Sequence, residues 1–68
     1  MTKKESEQLK DAYETVFDEN GNVKACGHAA CLRLMHVMKN YSAANLGNLD
    51  TGFMEVETIK SEYNRLIG

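Results

Sequence analysis

Cys26, His28, Cys31 and His36 are the side chains here whose types and closeness in sequence could hold a metal. Zinc takes four ligands that converge as a tetrahedron, at roughly 2.0–2.3 Å from the ion. On a continuous helix, at about 100° per residue, these four project at about 0°, 200°, 140° and 280°, and do not converge. His28 and Cys31 could share an ion only with ligands brought from elsewhere, and the chain has no second Cys/His pair. A site shared between two copies is the geometry that remains. The expectation is therefore no metal and no cofactor, with Cys26 and Cys31 facing a core. A disulfide is also disfavoured: residues five apart on a helix have Cα atoms roughly 8.5 Å apart, beyond the usual limit of about 7 Å. Only a helix that starts after Cys26 would let the two bridge, and reduced thiols suit a reducing cytosol.

Other chemistry is weaker still. Asp18, Asn20 and Asn22 resemble the first oxygen ligands of a calcium loop. Val23 then stands where the turn glycine belongs and Ala29 where the bidentate glutamate belongs, so calcium is not expected. Cys31 beside His28 or His36 has the types of a nucleophile and base, but nothing supplies an oxyanion hole or an orienting group. Gly47 and Gly52 are lone loop glycines, not a phosphate-binding motif. No enzyme is expected.

The elements that must position these residues follow from periodicity. The absence of proline suits a mainly helical chain. Thr2 with Glu5 has the capping-box pattern, and Leu9, Ala12, Tyr13, Val16 and Phe17 recur at helical spacing, which predicts a helix over 3–17. A second helix is predicted over 23–41, capped by Asn22. Its main apolar arc holds Cys26, Gly27, Ala30, Cys31, Leu34, Val37, Met38 and Tyr41. The small residues of that arc should receive Tyr13 and Phe17. A third helix is predicted over 54–67, with Glu55 and Glu57 in its first turn and Arg65 in its last, as the helix dipole favours, and a cap somewhere in 50–53. Asn20-Gly21 is a hairpin signal, and a short hairpin there competes with a helix–helix turn. The charged Asp18, Glu19 and Lys24 favour the turn. The fold class expected is all-α, a single three-helix domain whose central helix packs between two acidic ones.

Charge is unevenly spread. Residues 1–19 carry three lysines against six acids, for a net −3. Residues 20–49 carry Lys24, Arg33 and Lys39 with no acid, for a net +3. Residues 50–68 carry two cations against four acids, for a net −2. The basic centre is either neutralised by its own flanks or offered to an anionic partner. On the second face of the central helix, Leu32 and Met35 sit among Lys24, His28, Arg33, His36 and Lys39, an apolar centre with a basic rim. These seven residues are the candidate partner-binding set. The face is either an interface or is covered by the third helix.

At 68 residues, 43% hydrophobic and 26% charged, the chain has the composition of one small globular domain. A core of that size is marginal, which favours support from a second copy. No apolar run reaches the roughly 20 residues of a membrane span, and the N-terminal residues lack a signal-peptide stretch, so a cytoplasmic location is expected. The functional expectation is a non-enzymatic interaction module acting by stoichiometric binding. It would be a homodimer through the central helix, with an acidic protein as a further partner. Small acidic chains without catalytic motifs are common on phages and mobile elements, where they serve as inhibitors or adaptors. The alternative is a small nucleic-acid-binding regulator using the basic face. Against it stand an overall acidic pI near 5.6 and a connection before the third helix too long for a helix-turn-helix.

Overall fold

The computed structural model describes every residue except Cys26. Its elements are α1 (Lys3–Val16), α2 (His28–Lys39), β1 (Gly47–Asn48), β2 (Phe53–Met54) and α3 (Val56–Ile67). The molecule is a three-helix all-α domain with one very small antiparallel hairpin.

The capping box forms as its spacing predicts. Thr2 Oγ1 accepts from the Glu5 N–H at 3.2 Å, and Glu5 Oε1 accepts from the Thr2 N–H at 2.9 Å. Two backbone donors that the first turn leaves open are thereby satisfied. Helix α1 buries Leu9, Ala12 and Val16 and ends at Val16, because Phe17 is extended.

The connection that follows departs from the expected helix–helix turn. Phe17 and Val23 form an antiparallel bridge, and the Lys24 N–H donates to the Val16 carbonyl at 2.8 Å. Asp18 Oδ1 accepts from the N–H groups of both Asn20 and Asn22, and Gly21 takes a φ of 82°. The side chain of Asp18 thus stabilises the very hairpin its strand propensity argued against. Because residues 23 and 24 are held extended, α2 starts at His28 with Gly27 as its N-cap, five residues later than expected, and Asn22 does not cap it. The disulfide and ligand expectations for Cys26 lie outside the described residues.

Residues 42–54 also differ from a plain loop. Gly47 pairs with Met54 and Asn48 with Phe53, closed by a turn in which Asn48 Oδ1 accepts from the Asp50 and Thr51 N–H groups. Gly47 has a φ of 139°, and a Cβ there would collide with the Phe53 carbonyl oxygen. Strand pairing of Met54 delays α3 to Val56, with Glu55, not residues 50–53, at its N-cap.

The core draws Leu9, Ala12, Val16 and Phe17 from the α1 side, Leu34, Met35 and Met38 from α2, Leu46 from the loop, and Ile59 and Tyr63 from α3. The Tyr13 ring stacks on Tyr63, with centroids 3.7 Å apart and planes at 4°, and on Phe17 at 4.6 Å. Tyr13 and Phe17 were expected against the small residues of α2; the rings join each other and α3 instead. No helix among the described residues is long and apolar enough to cross a membrane.

Candidate functional site

Spacing along α2 puts His28, Leu32, His36 and Lys39 in one stripe, separated by four, four and three residues. His28, His36 and Lys39 are exposed, and Leu32 is half-buried between them. Lys24, in the extended segment before α2, is exposed as well. Arg33 lies on another flank. Its guanidinium donates to Asp11 Oδ2 at 3.0 Å, which ties α2 to α1 and neutralises that charge. The other ion pair among the described residues joins Arg65 to Glu62 at 2.7 Å. Lys24, His28, His36 and Lys39 therefore have no acidic partner among the described residues.

Met35 is not on the surface. It is 1% exposed and belongs to the core, while Leu32 packs against that core from a half-buried position. The apolar centre expected at Leu32 and Met35 is thus mostly internal. Residues of the segment 42–54 share in covering it. Leu46 is buried beside it, and Leu49 and Met54 pack on the same cluster. At the other end of α2, the His28 ring lies so close to Gly52 that a Cβ there would overlap it. The hairpin consequently runs along the helix from the level of Met35 to that of His28.

Where the loop leaves α2, a groove of about 600 Å³ opens between Met35 and Lys39 on one wall and Ala43, Asn45, Leu46 and Leu49 on the other. Its lining mixes apolar Met35, Leu46 and Leu49 with polar Asn40, Ser42 and Asn45, its one charged lining residue is Lys39, and no carboxylate lines it. Hydrogen bonds fix its rim. The Tyr41 hydroxyl donates to Glu5 Oε2 at 2.8 Å, and the Ser42 hydroxyl donates to Glu62 Oε2 at 2.7 Å. Ser42 Oγ accepts in turn from the Ala44 N–H. The Thr2 backbone and the Tyr41 hydroxyl hold the Glu5 carboxyl down at about 2. Arg65 and Ser42 lower that of Glu62. Both acids stay ionised as acceptors, so the loop is anchored at Tyr41 and Ser42.

Adjoining the groove at Asn45, Gly47 and Leu49 lies a second, shallower hollow, also edged by Asp50, Phe53 and Glu55. The Phe53 side chain stands there 60% exposed, more than any other large apolar residue described. Asp50 and Glu55 flank it and are exposed too.

Of the expected partner-binding set, the structure brings His28, Leu32, His36 and Lys39 together. It engages Arg33 with Asp11 and withdraws Met35 into the core. Tyr41, Asn45, Leu46, Leu49 and Phe53 are the residues that sequence reasoning passed over. Their signal was present: Leu46, Leu49, Phe53 and Met54 are too apolar a set for a purely solvated connection. Among the described residues no group of three or more His, Cys, Asp or Glu is placed to hold a metal. Comparison with protein-family models, curated proteins and solved structures returned no match.

Proposed function

We propose that this chain is a non-enzymatic interaction module that acts by stoichiometric binding, with an acidic segment of another protein as its partner along the α2 stripe. The observation that carries this is the set of exposed basic side chains with no ion pair among the described residues: Lys24 and Lys39, with His28 and His36 between them. Internal neutralisation accounts for Arg33 alone. Charge of one sign along a helix face raises association rates for an oppositely charged partner and rejects like-charged ones. Half-buried Leu32 gives the stripe a small apolar centre.

A homodimer through the central helix lacks a broad apolar seam, since Met35 contributes to the monomer core. An acidic heterologous partner fits the stripe better. By occupying that partner stoichiometrically the chain would act as an inhibitor or adaptor, as small proteins of phages and mobile elements do.

Fluorescence anisotropy at low salt, with labelled polyglutamate and a labelled random-sequence DNA duplex as probes, tests the proposal. Saturable polyglutamate binding that Lys39→Glu abolishes is the expected result. Retardation of the duplex in its place would assign the stripe to nucleic acid. Binding of neither probe would overturn the reading.

A further inference from the structure

We infer that the groove beside α2 receives Phe53 of a second copy of this chain, in a reciprocal two-fold pairing. The knob and the hole are both on the page. Phe53 is 60% exposed on a two-stranded hairpin, held outward by the pairing of its backbone with Asn48. Met35, Leu46 and Leu49 are among the residues that line the groove, and its volume of about 600 Å³ lies within the range of about 300–1,000 Å³ usual for preformed binding pockets.

Charge matches as shape does. Phe53 stands between the exposed carboxylates Asp50 and Glu55, which take no cation among the described residues. The groove carries Lys39 at its edge and no acid. Knob-side acids and hole-side cation would meet on insertion, whereas a second copy turned the other way would set cation against cation.

Position favours a closed pair over a chain of molecules. Groove and hollow share Asn45, Gly47 and Leu49, so knob and hole are neighbours along one short segment. A two-fold axis near Asn45 brings each Phe53 to the other copy's groove, and both contacts close at once. The walls need no ordering on binding, because Tyr41 and Ser42 are already fixed by Glu5 and Glu62. Two aromatic knobs and their holes bury less than the roughly 1,200 Å² of a stable complex, so the dimer is a weak one.

Sedimentation across a concentration series tests this with the whole chain. The wild type should pass from monomer to dimer. Phe53→Ala, which removes an exposed side chain, and Ala43→Trp, which fills the groove from an exposed position, should each stay monomeric with unchanged circular dichroism. Val23→Ala removes another exposed apolar side chain, 46% accessible, and should leave the dimer intact. Phe53→Ala should also leave polyglutamate binding unchanged, so this pairing and the partner-binding reading fail separately. A wild type that remains monomeric at millimolar concentration, or a Phe53→Ala dimer, would overturn the inference.

Discussion

The hydroxyl of Tyr41 donates to Oε2 of Glu5 at 2.8 Å, joining the second residue beyond α2 to the first turn of α1 across 36 positions of sequence. The same carboxylate closes the capping box with Thr2 through its other oxygen. One half-buried acid thus serves helix initiation and loop anchoring together.

That double use makes the fold acid-sensitive. The Glu5 carboxyl titrates at about 2 instead of 4.5, because its hydrogen bonds favour the charged form. A depressed folded-state value means the stabilisation is fully present above about 4.5 and is lost as pH falls toward 2. Glu62 acts in the same direction. Acid titration of the helical circular dichroism signal should show a shallower loss between those limits for Glu5→Gln, whose stability at neutral pH is already lowered. An unchanged acid limb would refute the assignment.

Met35 and Leu32 should separate sharply. Met35→Ala leaves a cavity in a filled core and should cost about 2–5 kcal/mol, a large share of the roughly 3–10 kcal/mol expected for a chain of this length. Leu32→Ala, at a half-buried position, should cost less than about 2 kcal/mol. Urea denaturation measures both, and equal losses would place Met35 outside the core.

Glycines at 47 and 27 make opposite predictions. Gly47→Ala forces a Cβ against the Phe53 carbonyl at a left-handed φ, and should lose more than about 1 kcal/mol. Gly27 caps α2 at a φ of −75°, with open space where its Cβ would stand. Gly27→Ser adds the side-chain acceptor that this helix start lacks and should gain a few tenths of a kcal/mol, roughly. Melting temperatures of the two variants should move apart.

Arg33 and Lys39 carry the same charge but should behave differently. Arg33→Ala breaks a solvent-exposed ion pair, which is worth at most about 1 kcal/mol, and removes a cation that Asp11 already neutralises. Lys39→Ala should leave stability within about 0.5 kcal/mol and weaken polyglutamate binding more than Arg33→Ala does. The reverse order of affinities would place the partner on the Arg33 flank.

Periodicity and capping made the three helices legible, because each buries a stripe at helical spacing and Thr2 with Glu5 marks one start. What stayed hidden were departures caused by short polar turns. The Asp18 carboxylate organises the chain from 18 to 22 through its own backbone, and a bridge from Phe17 to Val23 then removes a turn and a half from the expected α2. The cover over Met35 escaped for a related reason. A twelve-residue stretch rich in Asn and Gly reads as connection, yet its Leu46 and Leu49 join the cluster that holds Met35. Register within such a hairpin depends on Gly47 and Gly52 meeting Phe53 and His28, contacts between residues far from any periodic pattern.

The ring column gives the molecule an optical signature. With no tryptophan and three tyrosines, all its near-ultraviolet emission arises from Tyr13, Tyr41 and Tyr63. Two of these phenols are stacked face to face, and the third is bonded to a carboxylate, arrangements that both quench phenol fluorescence. Tyrosine emission should therefore rise on unfolding, which would let this small protein report its own unfolding without a label.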